Sequence, residues 1–164
     1  RRTPPPISLL TLLLMTSTNP FSIISADWNS DRDRLLAVRY EVFVVEQKVP
    51  AEIEVDELDS LSDHVLALDS ADTPVGTARL VPGGRIGRVA VLKKWRGKGV
   101  GAALMKKLIA IAEQDPALEE LMLHAQTWTV GFYESLGFVA EGEEFEEADI
   151  PHITMKRKFS AGYK

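Results

Sequence analysis

A chain of 164 residues, 45% hydrophobic and 26% charged, is sized and composed for one globular domain that buries its own core. It contains no cysteine, which excludes disulfides, thiolate nucleophiles and cysteine-based metal sites and fits a reducing, cytoplasmic compartment. A net charge of −5 argues against broad binding to nucleic acid and slightly favours a cationic small molecule.

Residues 1–20 differ in character from the rest of the chain. RRTPPPISLLTLLLM joins two arginines, a triple proline and an apolar run over 7–15 that is too short to span a membrane. Met15 followed by TSTNP reads as a start, which would make 1–14 an upstream or leader segment, with a transit segment or a docking helix as the alternatives; the boundary is set at 1–20 for this leader and 21–164 for a single domain. FSIISA (21–26) predicts a strand. SDRDRLLAVRYEVFVVEQ carries Leu35, Leu36, Val38, Val42, Phe43 and Val45 near helical spacing, with Ser30 or Asp31 as the expected N-cap. The acidic stretch PAEIEVDELDSLSD reads as a loop with a solvated face. HVLALDS and PVGTARLV predict antiparallel strands joined by the turn cluster SADTP. RIGRVAV predicts another strand. Over 99–114 a helix is expected, with Val100, Leu104, Leu108 and Ile111 as its stripe and Pro116 just beyond its end. LEELMLHAQ leads into a strand, TVGFYESL is a short helix closed by Gly137, and FVA and HITMKRKF are closing strands.

Between RIGRVAV and the strongest helix lies RGKGVG, with Gly97, Gly99 and Gly101 in five positions, Arg96 just before them and Lys98 among them. A helix N-terminus exposes unpaired N–H groups and a partial positive charge, and glycines let backbone close around an anion. Strand, glycine turn, helix is therefore a phosphate cradle. A surface turn with solvated cations uses the same residues and stays open. A Walker A loop is excluded because no Gly-Lys pair is followed by Ser or Thr, and the GxGxG spacing is not the dinucleotide GxGxxG.

RGKGVG resembles the (Arg/Gln)-x-x-Gly-x-(Gly/Ala) loop of the GCN5-related N-acetyltransferases, the GNAT superfamily, with Arg96, Gly99 and Gly101 in the specified positions. The upstream IGRVAV is similar to that family's pantetheine-binding strand, and LHAQTWTVGFYESLGF to its later strand–helix block. EQKVP, DHVLAL, GTARLV, GEEF and IPHITM extend the likeness over about 33–158, to a bacterial and fungal branch of small acetyltransferases; Trp128 and Gly131 depart from that branch. The resemblance implies a mixed α/β fold: a bent sheet whose two central parallel strands, RIGRVAV and LMLHA, splay apart, flanked by helices. It also implies acetyl-CoA in the gap as acyl donor, with no metal, and pairing through edge strands into a homodimer. Val89, Ala90 and Val91 would pair with the pantetheine amides, and amides of Arg96, Gly97, Lys98, Gly99, Val100 and Gly101 would hold the pyrophosphate. Gln126 would line the donor arm, and Phe132 is expected either in the core or as a wall beside the pantetheine.

Tyr133 matches the family's general-acid tyrosine, which would protonate the departing sulfur. Without that motif, Tyr133 reads rather as one of two adjacent aromatics packing a helix. His124, on the splayed strand, is a candidate base, and a water chain is the alternative. His152, Glu46, Glu54 and Asp56 are candidates for the acceptor side, where carboxylates would hold an ammonium or sugar hydroxyls. No His pair has metal-ligand spacing. The acceptor expected is a small primary amine, with an amino sugar such as glucosamine ahead of polyamines and protein lysines. A non-catalytic acyl-CoA-binding module and a nucleotide-phosphate binder are the rival readings.

Overall fold

The computed structural model describes residues 20–159; the expected leader lies outside the described residues but for Pro20. Seven strands form one sheet: β1 (Phe21–Ala26), β2 (Asp63–Asp69), β3 (Pro74–Val81), β4 (Arg85–Val91), β5 (Glu120–Gln126), β6 (Val139–Glu147) and β7 (Ile150–Lys158). Their order is β1-β2-β3-β4-β5-β7-β6. The helices are α1 (Trp28–Arg39), continued by a wider π-type segment over Tyr40–Glu46, then α2 (Ala51–Glu54), α3 (Val100–Glu113) and α4 (Val130–Glu134). Among the described residues no helix is long and apolar enough to cross a membrane.

The first helix begins one turn earlier than its sequence predicts. Asp27, not Ser30 or Asp31, is the N-cap: its Oδ1 accepts from the N–H of Asn29 at 2.9 Å and of Ser30 at 3.1 Å. Asp31 reciprocates by accepting the Asp27 N–H at 2.9 Å. Leu35, Val38 and Val42 are buried as expected, but the widened turns carry Val45 to the exposed side.

The core lies between α3 and the sheet. Val100, Leu104, Met105 and Leu108 are buried against Val75, Ala78 and Leu123. The helix comes so close to β3 that a Cβ on Gly76 would meet Leu104 Cδ1 and Val100 Cγ1 at 3.0 Å each.

Two features of the sheet create a site. First, β4 and β5 run parallel but share one registered pair, Arg85 with Met122. Beyond it, β4 stays with β3 and β5 with β7, so the strands splay and leave the facing edge of β4 without a strand partner. The expected splayed mixed sheet is what the chain forms. Second, β4 is bulged: Thr77 pairs with Ala90 and Arg79 with Gly87, so Arg88 and Val89 together oppose Ala78. Arg88 takes φ 50° at the bulge.

The closing strand is longer than FVA. β6 runs nine residues and absorbs the acidic segment EGEEFEE. It is an edge strand whose exposed glutamates oppose sheet extension. A two-residue turn, Ala148 (φ 50°) and Asp149 (φ 61°), returns the chain into β7. Two left-handed residues match a type I′ hairpin, without the Asn-Gly or Asp-Gly that usually announces one.

Candidate active site

A cavity of about 330 Å³ occupies the gap between β4 and β5. Its walls include the bulge residues Arg88 and Val89, His124 and Gln126 of β5, and Tyr133 of α4. The β6–β7 hairpin closes one side with Glu147, Ala148, Ile150 and His152, and α2 contributes Glu54. A reciprocal amide pair bridges the segment after α1 to the end of β5: Gln47 donates to Gln126 at 3.1 Å and Gln126 donates back at 2.9 Å.

Tyr133 is buried, with Phe132 and Phe138 packed on its ring at centroid distances of 4.9 and 6.0 Å. Burial pushes its phenol well above its usual range, so the hydroxyl is protonated at neutral pH. Of the two alternatives for Phe132 the structure takes the core: it packs against the first turn of α3, where a Cβ on Gly101 would meet its Cζ at 3.3 Å, and is not part of the cavity wall.

At the other end of β4, the glycine loop has the shape of an anion cradle. Gly97 (φ 74°) and Gly99 (φ 86°) are left-handed, with no atom within 4 Å of a Cβ placed on either. Gly99 is the N-cap of α3 and offers no side chain to its N–H groups. Val100 is buried, so only its backbone is available, and Lys98 Nζ lies 5.0 Å from the Trp95 ring. The Arg96 guanidinium does not point into the cradle: it is held bidentately by Glu46 at 2.6 and 2.7 Å and donates to the Val91 carbonyl at 3.0 Å. Arg96 therefore fixes the loop against the first helical segment. Ala90 is buried against Val38 and Val42, while Val91 is half-buried.

The acceptor-side expectations need correction. Glu46 is not a cavity residue, because Arg96 claims its carboxylate, whose hydrogen bonds draw it below the usual range. Asp56 also lies outside the cavity wall, taking Arg79 at 2.7 and 2.9 Å and Arg88 at 3.2 Å. Glu54 does reach the cavity, but Arg39 holds it at 2.6 Å. Nor is the acidic loop simply solvated: Glu54 and Asp59 are buried. Asp59 binds Arg39 at 2.7 and 3.0 Å and Arg79 at 2.8 Å. Burial alone would raise the Asp59 carboxyl; the hydrogen bonds and charge of Arg39, with Arg79, overcome it and bring the carboxyl down to about 2. Three carboxylates, Glu54, Asp56 and Asp59, thus face three arginines, Arg39, Arg79 and Arg88, and this cluster has little net charge to offer a cation.

His124 and His152 do meet, around a residue the sequence did not single out. Glu147 Oε1 lies 3.3 Å from His124 Nδ1, and its Oε2 lies 3.7 Å from His152 Nε2. Arg85 Nη2 lies 3.0 Å from the same His124 Nδ1. Phe145 sits between the histidines, edge-on to His124 at 4.9 Å and stacked on His152 at 6.0 Å. Along the chain Glu147 is one glutamate among many, and the hairpin turn is what aims it inward. The signal that could have found it is EGEEFEEADIPH taken as two strands around a turn.

Residues 30–159 match a family described as the acetyltransferase (GNAT) domain. The chain belongs to the GNAT acetyltransferase family. The uncharacterized N-acetyltransferase YjcF of Bacillus subtilis is 44% identical over 124 residues, spanning 73% of this chain and 87% of that protein. An acyl-CoA N-acyltransferase from Pseudomonas aeruginosa superposes with a TM-score of 0.74 at 34% identity, over 84% of this chain and 99% of that one. ElaA of Escherichia coli superposes with a TM-score of 0.75 at 33% identity, over 84% and 99%. As a GNAT protein this chain is an N-acetyltransferase, and the family implies an acyl-CoA as donor. The unpartnered edge of β4 and the uncapped N-terminus of α3 both fit such a donor.

Proposed function

We propose that this GNAT enzyme transfers acetyl from acetyl-CoA to a small primary amine, by direct attack within a ternary complex. The observation that carries the reading is the juxtaposition in one cavity of a buried protonated tyrosine with the splayed edge of β4. Backbone of Val89 to Val91 and the N–H groups at Gly97 to Gly101 would hold the donor, which supplies the thioester carbonyl. Tyr133 holds a proton at its Oη for the departing sulfur. The histidine–glutamate cluster faces the acceptor and takes its proton.

A cavity of about 330 Å³, roofed by the β6–β7 turn, suits a small acceptor. An amino sugar such as glucosamine ranks first, because a simple alkylamine with a pKa of about 10 is almost wholly protonated at neutral pH while a less basic amine is partly free to attack. The enzyme works in this reading as a transferase, not as a binding module, since an acyl-CoA sensor has no use for the acid.

The test is release of CoA thiol from acetyl-CoA against amino sugars, polyamines, arylamines and a lysine peptide. The enzyme has no cysteine to react with the thiol reagent. Amine-dependent release, falling about 10²–10⁴-fold in kcat in Tyr133→Phe with acetyl-CoA binding retained, is the expected result. Acetyl-CoA binding without release for any amine would refute the proposal.

A further inference from the structure

His124 and His152 line the same cavity, yet their partners put their ring protons on opposite nitrogens. The Ile150 carbonyl lies 2.6 Å from His152 Nδ1 and can only accept. His152 Nδ1 therefore carries a proton, and in the neutral ring Nε2 keeps its lone pair. That lone pair faces Glu147 Oε2 at 3.7 Å. For His124 the logic reverses. Arg85 can only donate, and its Nη2 lies 3.0 Å from Nδ1. The contact from Nδ1 to Glu147 Oε1, at 3.3 Å, would need a proton on the same nitrogen. One nitrogen of a neutral ring cannot do both, and the nearer, permanently charged donor decides. His124 is thereby an Nε2–H donor without a free lone pair.

We propose that His152, not His124, is the proton acceptor of this enzyme, with Glu147 beside it to stabilise the imidazolium and Arg85 as the positioning residue that holds His124 out of that role. This rests on the acetyl-transfer reading. The acceptor's ammonium proton passes to His152 Nε2, giving free amine and imidazolium. The amine nitrogen then bonds the acetyl carbon as the carbon–sulfur bond breaks. Tyr133 gives its proton to sulfur, and the nitrogen's second proton makes good that loss. The imidazolium proton leaves to water, so one proton is released overall. The charged and titratable groups around the cavity are Arg85 and Arg88 from β4, Glu54 from α2, Tyr133 from α4, Glu147 from β6 and, across from His152, His124 from β5.

Heteronuclear NMR of the histidine ring nitrogens tests the tautomers in the free protein, with no acceptor present. His152 is expected as Nδ1–H and His124 as Nε2–H. In Arg85→Met, His124 shifts toward Nδ1–H, directed at Glu147, and Arg85→Lys restores Nε2–H. The same tautomer for both rings, or a His124 indifferent to Arg85→Met, overturns the proposal. In the thiol-release assay, His152→Gln loses about a hundredfold or more in kcat/KM and His124→Gln less than about tenfold. Glu147→Gln, which leaves both rings in place, moves the acidic limb of the kcat/KM profile to lower pH. The reverse ranking of the two histidines, or an unmoved limb in Glu147→Gln, also overturns it. If the wild type acetylates no amine, the functional reading fails and the NMR result still judges the tautomers.

Discussion

Asp59→Asn removes the carboxylate at the centre of the buried ion network and leaves its shape. Arg39, Arg79 and Arg88 would then face only Glu54 and Asp56, an uncompensated buried positive charge. Removing one partner of such a network costs about 3–5 kcal/mol, against a total stability of about 5–15 kcal/mol for a domain. Part of that loss depends on pH. In the folded chain the Asp59 carboxyl is lowered from its usual 3.8 to about 2. At about 1.4 kcal/mol per pH unit the interval is worth about 2 kcal/mol. Because the folded value is the lower one, this contribution is full above pH 3.8 and is lost as pH falls toward about 2. Urea unfolding of both chains, from neutral pH down to the acid range, measures it. The variant should be less stable by about 3–5 kcal/mol at neutral pH, and the gap should narrow by about 2 kcal/mol through that window. Carboxylates remote from the network titrate alike in both chains and cancel in the difference; Asp56, whose carboxyl Arg79 lowers and the neighbouring Asp59 charge raises in part, is the coupled exception. A variant within about 1 kcal/mol of wild type at neutral pH, or a gap that does not change with pH, would contradict the reasoning.

Two glycines yield further predictions. Gly76→Ala puts a methyl 3.0 Å from Leu104 and Val100 in a packed core, so it should cost about 1–3 kcal/mol, read as a lower urea midpoint at unchanged slope; an unchanged midpoint would show that α3 can move away from β3. Gly99→Ala meets open space but a left-handed backbone, so it should cost about 1–2 kcal/mol through conformation alone. It should also weaken CoA binding at least tenfold by calorimetry, and full affinity would remove the loop from the donor site.

The linear order of elements was legible from hydrophobic period and turn residues, because both are local. FSIISA, PVGTARLV and the stripe of Val100, Leu104 and Leu108 formed as their spacing required. The family was legible too, since RGKGVG and FYESLGF are contiguous pieces of chain. Local rules failed where a distant partner decided the outcome. Ser30 and Asp31 were plausible caps until Asp27 took the hydrogen bonds one turn earlier. Glu46, Glu54 and Asp56 had the chemistry of an acceptor site, but Arg96, Arg39 and Arg79 neutralise them from elsewhere in the chain. Glu147 became a cavity residue only when the Ala148–Asp149 turn folded β6 onto β7. Residue type and spacing, set by the sequence alone, determined that this chain makes a splayed GNAT sheet with a glycine loop at its helix. Which charges face the cavity was decided by tertiary structure, because an ion pair depends on distance in space and is blind to distance along the chain.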